Sequence, residues 1–481
     1  MVSPIVRQSW AVSGVLINML AQGMVLSYPS SLLPGLQSPD SDIKVDINIA
    51  SWLASSVGVS GIPGFLVSSF LMDWRGRKLA HILVLAPGII GWLLIFFARN
   101  VALLMIGRFL NGFTTGGTVF LGAVVIGEYS CPKSRGTFLN LKTAGVCLGS
   151  MVIHILGYYF HWRTVALLGM LPFVVSFIII CTWPESPAWL ASTGKFEDSE
   201  KSFYWLRGRD EDSEKEFNEL IKAQKMKAAY NKRTSACETI TDFLLKFTKR
   251  DFVKPLIIIV VSAVLIEASG RHVFPAYALP IIEEVTGDNL QTFYYTLGID
   301  LIITTSATFS SVLVKVYKRR TILFITGFSA LFVLIMACSY LYLVTVGLIS
   351  KSYPWIPVAL FVLFFILVNL GCTPIPIALL GEVLPLAHRA AGSAVAGFVL
   401  SVAVVAALKV TPYLLASIKV YGTFGVFGIT MGLSLLMFYF ILPETKDRTL
   451  QEIEDYFNNG RFRDEEEDRK GEEGVRMKMI T

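Results

Sequence analysis

Six ionisable side chains lie inside stretches that are otherwise apolar enough to cross a membrane. They are Lys142, Glu267, Arg271, His272, Asp300 and Lys409. A charge at the centre of a membrane helix costs about 2.5 to 3.5 kcal/mol on insertion scales, so each should face a partner or an aqueous cavity. Groups of this kind can bind the polar or charged part of a solute.

Glu267 and Arg271 are four residues apart, so on one continuous helix their side chains would pair. Two interpretations follow. In the first, which we favour, the cluster around them lines a central cavity and binds a solute. In the second, Glu267 and Arg271 form a structural ion pair and interact only with each other. We interpret His81 and His154, on apolar spans, as packing residues.

The composition is that of a protein that crosses a membrane many times. Hydrophobic residues make up 54% of the chain and charged residues 16%, and the mean hydropathy is +0.60. Apolar runs long enough to span a bilayer fall into two sets of six. The predicted spans lie near 9–31, 52–72, 79–98, 101–127, 138–159, 162–183, 255–282, 290–314, 321–347, 355–381, 390–417 and 420–442.

The distribution of basic residues predicts the orientation of these spans. Lys and Arg concentrate in alternate loops and in the segment 191–254, while the opposite loops carry acidic residues such as Asp40 and Glu283. The basic loops are expected to be cytoplasmic, which places both termini there as well. This bias accounts for the net charge of +6, so no nucleic-acid partner is implied.

Charged motifs recur about 250 residues apart, once in each set of spans. The first copy has Asp73 to Lys78, Glu128 followed by Arg135, and Pro184 to Pro187; the second has Lys315 to Arg320, Glu382 followed by Arg389, and Pro443 to Lys446. Duplicated bundles of membrane helices are typical of secondary transporters, in which the substrate site lies between the repeats. The sequence therefore predicts a carrier.

This duplication predicts four segments. A six-helix bundle at 1–183 and a second at 255–443 are joined by a cytoplasmic linker with short helices at 184–254. A cytoplasmic tail occupies 444–481, and its composition after about residue 460 predicts disorder.

The same motifs resemble the sugar porter family of the major facilitator superfamily, from about residue 10 to 455. The matching elements include Asp73-x-x-Gly76-Arg77-Lys78, Gly107-Arg108, Glu128 with Arg135-Gly136, Pro184-Glu185-Ser186-Pro187, Pro374-Ile375-Pro376, Glu382 to Arg389 and Pro443-Glu444-Thr445-Lys446. Leu380 to Pro385 and Ala50 to Trp52 are most similar to the insect facilitated trehalose transporters. The resemblance implies an all-α fold of twelve spans and facilitative (uniport) transport of trehalose or a related sugar by alternating access.

In this family, charges at the cytoplasmic mouth are expected to close an inner gate in one state and separate in the other. An alternative that is compatible with this role is that they anchor helix ends in lipid headgroups. The predicted gate residues are Asp73, Arg77, Arg108, Glu128, Arg135, Glu185, Arg319, Arg320, Glu382, Arg389 and Glu444.

The sequence differs from hexose-binding members of this family at positions where those members carry amide side chains. Residues 266–272 keep the family's Ser-Gly but lack its Gln pair and Asn, and Ile303 stands where the family has Asn. A polyol needs many donors and acceptors. We therefore expect a more apolar cavity than a hexose site. The predicted substrate-binding residues are Thr143, Glu267, Ser269, Arg271, His272, Asp300, Ile377 and Ser401.

Two alternatives remain open: the same kind of carrier for a non-sugar amphipathic or charged organic solute, and a nutrient receptor that does not transport. An enzyme is not expected, because Gly194-Lys195 is followed by Phe196 and does not form a phosphate-binding loop. No cofactor or metal is expected. The predicted protein is a multi-pass monomer of the plasma membrane, whose partners are a small-molecule substrate and the lipid bilayer.

Overall fold

The computed structural model describes residues 3–233, 250–287, 289–350, 353–383, 389–446, 452–453 and 456–457. In the first half the helices are α1 (Pro4–Ser27), α2 (Pro29–Gln37), α3 (Ile47–Arg75), α4 (Arg77–Phe96), α5 (Val101–Tyr129), α6 (Pro132–Tyr159) and α7 (Trp162–Cys181). Three further helices follow: α8 (Pro187–Ser192), α9 (Phe196–Arg207) and α10 (Glu211–Arg233).

The second half contains α11 (Arg250–Ala268), α12 (Val273–Thr286), α13 (Asn289–Val316), α14 (Arg319–Val346), α15 (Trp355–Leu370), α16 (Pro374–Glu382) and α17 (Arg389–Ile441). Residues 234–249 of the predicted linker and nearly all of 447–481 lie outside the described residues, so the predicted tail disorder stays a prediction.

Eleven helical stretches in the described part of the chain are long and apolar enough to cross a membrane. The last of them, Val395–Ile441, has 47 residues, about twice what one crossing needs. Lys419 interrupts α17 with a φ of 57°, and the carboxylate of Glu284 accepts the Val420 backbone N–H at 3.1 Å just beyond it. α17 is therefore two crossings, which makes twelve.

Three crossings are each divided into two helices. The first is divided at Tyr28 between α1 and α2, the seventh at 269–272 between α11 and α12, and the tenth at 371–373 between α15 and α16. Gly270 has a φ of +79°, a conformation that suits glycine, and Pro29 and Pro374 begin the helices after two of the breaks. Broken membrane helices persist where they line a cavity or pack against protein.

The helices α8–α10 pack at the end of the bundle where α1 begins. The Arg7 guanidinium donates to the Trp205 carbonyl at 3.1 Å, and the Gln8 amide donates to the Leu206 carbonyl at 3.1 Å. We call this end the linker side and the opposite end the distal side. Within the first half, α3 and α5 approach closely at small residues: a Cβ on Gly116 would lie 2.2 Å from the Gly61 carbonyl oxygen.

Candidate substrate site and charge clusters

A cavity of about 50 Å³ lies between the two halves, at the breaks in the seventh and tenth crossings. Its volume is far below the roughly 300 to 1,000 Å³ of ordinary ligand pockets, so in this state the cavity is too small for an organic solute. The lining residues are Leu26, Val146, Cys147, Ser150, Ser269, Gly270, Arg271, His272, Phe274, Pro275, Asp300, Ile303, Phe365, Val368, Asn369 and Thr373.

Four of the predicted substrate-binding residues line this cavity: Ser269, Arg271, His272 and Asp300. Within the described part of the chain, the Arg271 guanidinium forms no hydrogen bond or ion pair. The polar lining groups that sequence reasoning missed are Ser150, Asn369 and Thr373. Residues of these types are common in apolar spans. Only the break at 371–373 could have indicated that Asn369 and Thr373 line the cavity.

The expected ion pair between Glu267 and Arg271 does not form. α11 ends at Ala268, so the two residues are not on one helix and their spacing of four does not bring them together. The Glu267 carboxylate instead contacts His272 Nδ1 at 2.7 Å. Glu267 is 5% exposed, and it does not line the cavity. Its role is therefore to hold the turn on which Arg271 and His272 sit.

His154 is not a simple packing residue, contrary to the expectation from its apolar span. Its Nδ1 lies 2.5 Å from a carboxylate oxygen of Asp300, and its Nε2 lies 3.0 Å from the Pro275 carbonyl oxygen. His154 belongs to the first half, whereas both partners belong to the second. His81, in contrast, is buried against Asn18 and Trp183 within its own half.

Besides Glu267, three further predicted substrate-binding residues do not line the cavity in this state. Thr143 lies on α6 nearer the linker side, and Ile377 is 40% exposed on α16. Ser401 lies where α17 crosses α3, with its side chain 3.9 Å from the place a Cβ on Gly61 would take. The sequence could not show which face of each helix points toward the other half.

On the distal side, Lys409 of α17 binds the beginning of α3. Its Nζ donates to Asn48 Oδ1 and to Ser51 Oγ, both at 2.8 Å, and lies 4.2 Å from the centre of the Trp52 ring. Lys142, by comparison, donates only to the Val119 carbonyl of its own half. Lys409 thus joins the two halves, as His154 does.

On the linker side, Arg77 and Glu128 form a two-pronged ion pair within the first half. Arg77 Nη2 and Nε donate to the Glu128 carboxylate at 2.8 and 2.9 Å. Glu185 accepts the backbone N–H groups of Arg77 and Lys78 at 2.8 and 3.2 Å. Burial raises the pKa of Glu185, and these backbone donors oppose that shift.

The second half repeats this arrangement in part. The Glu444 carboxylate accepts the backbone N–H groups of Arg319 and Arg320 at 3.2 and 3.1 Å, as Glu185 does at the equivalent turn. The side chain of Glu382, the repeat equivalent of Glu128, lies outside the described residues, as does that of Arg389. Between described residues, the ion pairs on the linker side stay within one half or the linker.

Arg108 does not belong to the predicted gate. It lies near the distal end of α5, fully buried, where it donates to the carbonyls of Leu53 and Val25 at 3.0 and 2.7 Å. At 1.5 Å per residue, it is about 30 Å along α5 from Glu128. These two bonds satisfy one carbonyl near the end of α1 and one near the beginning of α3. Asp73 is exposed on the linker side, and Arg135 has a buried Nε with no hydrogen bond to a described residue.

A family model described as "Sugar (and other) transporter" matches residues 25–457 of this chain. The chain belongs to that family. Its members are transporters rather than enzymes, and the predicted recognition is confirmed.

Curated relatives include two insect proteins named facilitated trehalose transporter Tret1. The protein of Polypedilum vanderplanki is 28% identical over 94% of this chain and 88% of its own length. The protein of Drosophila mojavensis is 27% identical over 93% of this chain, which spans only 51% of that longer relative.

Solved structures show the same fold. The inward open conformation of the xylose transporter XylE from E. coli superposes with a TM-score of 0.74, 16% identity, and coverage of 92% of this chain and 98% of XylE. A peptide transporter POT superposes with a TM-score of 0.60, covering 89% of this chain and 94% of its own, at 14% identity. The predicted all-α, multi-pass fold of the major facilitator superfamily is confirmed.

Proposed function

We propose that this protein is a facilitative carrier of the plasma membrane that works by alternating access, with the linker side in the cytoplasm. The observation that carries the proposal is the cavity between the halves, at the breaks of two crossings. Such breaks expose backbone and side-chain polar groups at the depth where secondary transporters bind their substrates.

The contacts between the halves support one particular state of this cycle. His154 with Asp300 and Lys409 with Asn48 join the halves, as does the stack of Tyr158 on Phe293 at 4.0 Å between ring centres. The last two contacts lie toward the distal side. We infer that this state is closed to the distal side and that these contacts must break for the cavity to open there.

A sugar is the first candidate substrate, and trehalose is the specific candidate, because the chain belongs to this family and has relatives named as trehalose transporters. The cavity offers donors and acceptors for a few hydroxyl groups in Ser150, Asn369 and Thr373. Ile303, Phe365 and Val368 make the remainder apolar. The lining therefore suits a solute with one polar and one apolar face.

A second candidate substrate is an amphipathic organic anion. It is favoured by Arg271, whose guanidinium lines the cavity without a partner among the described residues. A planar guanidinium binds carboxylate and phosphate groups with two parallel hydrogen bonds. A sugar would accept a hydrogen bond from Arg271 only through an uncharged oxygen. Uptake of a sugar should therefore depend less on Arg271 than uptake of an anion.

Uptake into proteoliposomes that contain the purified protein tests both candidates. Labelled trehalose, glucose and an alkyl carboxylate would be offered without an ion gradient, and then again with unlabelled solute inside. A carrier of this kind should take up one of the labelled solutes down its gradient. Unlabelled solute inside the proteoliposomes should make this uptake faster. Saturable binding without uptake would instead favour the receptor alternative.

Arg271→Gln distinguishes the two substrates. If the substrate is an anion, uptake should fall by about 100-fold, because a charge-assisted pair of hydrogen bonds contributes about 1.5 to 3 kcal/mol. If it is a sugar, uptake should fall by about tenfold or less. Arg99→Gln, at an exposed position of a distal loop, is the matched control. A substrate-dependent inward current that grows as the external pH falls would contradict uniport.

A further inference from the structure

The pair formed by His154 and Asp300 joins the halves and is almost completely buried. The exposed fractions of the two side chains are 1% and 3%. His154 lies on α6 in the first half, and Asp300 lies on α13 in the second half. Facilitative transport does not by itself require a titratable pair at this place.

The two contacts of His154 fix how many protons the pair must hold. The Pro275 carbonyl oxygen can only accept, so Nε2, at 3.0 Å, must carry a hydrogen. Nδ1 lies 2.5 Å from Asp300 Oδ2, and a hydrogen must lie between these atoms as well. Both contacts therefore form only when a second proton is shared between the imidazole and the carboxyl group.

Loss of that proton removes one contact between the halves. If Nε2 keeps its hydrogen, the Nδ1 lone pair faces a carboxylate; if Nδ1 keeps it, the Nε2 lone pair faces the Pro275 carbonyl. The proton also keeps the pair neutral overall, whereas without it a buried net negative charge remains. Both effects favour separation of the halves when the proton leaves.

Other charged groups near the pair must be considered. From the turn between α11 and α12, Arg271 and His272 face the same cavity as Asp300, and His272 is held by Glu267. From α6 the titratable residue that lines the cavity is Cys147, while α15 and the 371–373 break contribute the uncharged Asn369 and Thr373. Arg271 is the one cation that lines the cavity within the described part of the chain, and it would stabilise Asp300 as a carboxylate when the imidazole moves away.

We propose that His154 and Asp300 form a proton-binding site between the halves, which holds one shared proton while the halves are joined and releases it as they separate. External pH would then set the balance between the two orientations of the protein. The site rests on the proposed function only in that the halves must move relative to each other.

The test measures distance, with no substrate present. Spin labels on Phe160→Cys and Tyr294→Cys, two exposed positions flanking the pair, would report the separation of α6 from α13 between about pH 5 and 9 in full-length protein in nanodiscs. The native cysteines would be replaced, and the background checked for monodisperse elution. The separated population should grow with pH, by at least tenfold across the range.

Asp300→Asn is the decisive variant, since its amide can donate to Nδ1 without titrating and so mimics the protonated pair. It should keep the halves joined at every pH. His154→Gln, which also removes the titrating imidazole, provides a second variant in case the first fails to fold, and it too should lose the pH dependence. An unchanged distance in the original protein, or an unchanged pH profile in either variant, would overturn the proposal. The distance measurement does not depend on substrate, so a failure of transport would leave the proton-site proposal standing. A proton flux that accompanies substrate uptake would refute only uniport.

Discussion

Lys409 of α17 donates a hydrogen bond of 2.8 Å to the Asn48 side chain of α3, so a cation of one half is bound by the other. The same ammonium group lies over the Trp52 ring. Hydrogen bonds to a charged group contribute about 1.5 to 3 kcal/mol, and a cation over an exposed ring about 0.5 to 1 kcal/mol. In the proposed transport cycle, Lys409 should therefore contribute strongly to closure of the distal side.

Lys409→Met should open the distal side more often. The side chain keeps its length but loses its donors, and a loss of about 1.4 kcal/mol shifts a two-state equilibrium tenfold. Cys147 lines the cavity, so its modification by an impermeant thiol reagent added on the distal side should become about tenfold faster. Peptide mass spectrometry would identify the modified residue.

Lys44→Met is the matched control for this variant. Lys44 is an exposed lysine of the same side, and it donates only to the nearby Pro39 carbonyl. Its replacement should leave the modification rate of Cys147 unchanged. Equal rates in the two variants would show that Lys409 does not hold the distal side closed.

Glu267 and Arg271 should give opposite results when they are replaced. Glu267→Gln should lower the apparent melting temperature, because it weakens a buried charge-assisted contact with His272 of 2.7 Å. Arg271→Gln should leave that temperature within about 1 °C, because the guanidinium has no partner among the described residues, and should change apparent substrate affinity instead. The charge-swapped double variant should fail to fold normally. Normal behaviour of the swap would mean that the two residues do pair.

Glu185 should give the stability of the protein a measurable pH dependence. Burial raises the pKa of its carboxyl group above the ordinary 4.5, so just above pH 4.5 the folded protein holds a proton that the unfolded chain has lost. Stability should therefore fall as the pH rises from 4.5 through the raised pKa. In Glu185→Gln the part of this pH dependence that Glu185 contributes should vanish. In the exposed control Asp73→Asn it should persist. Thermal unfolding of detergent-solubilised protein across this range would measure it.

Arg77 and Glu128 should be energetically coupled. Their side chains are 16% and 18% exposed, and the two-pronged pair joins α4 to α5. A double-mutant cycle with Arg77→Gln and Glu128→Gln should give a coupling free energy of about 1 kcal/mol. Strictly additive effects on the melting temperature would show that the pair does not stabilise the linker side.

The sequence determined the class of the protein and the number of its crossings. Apolar runs of bilayer length leave no alternative to helices, because every backbone N–H and C=O must be satisfied without water. The repeated motifs also indicated that Glu185 and Glu444 belong to equivalent turns, as their contacts with Arg77 and Arg319 show. These features depend on local pattern and spacing, which a chain displays directly.

Tertiary structure alone decided the partners of the ionisable residues. Glu267 contacts His272 instead of Arg271 because α11 ends between them, and His154 meets Asp300 although 146 residues separate them. Arg108 and Glu128 share α5 but belong to opposite ends of the bundle. Which groups meet depends on where helices break and which faces the two halves turn toward each other. Those choices are set by packing between residues distant in sequence, and spacing along the chain does not encode them.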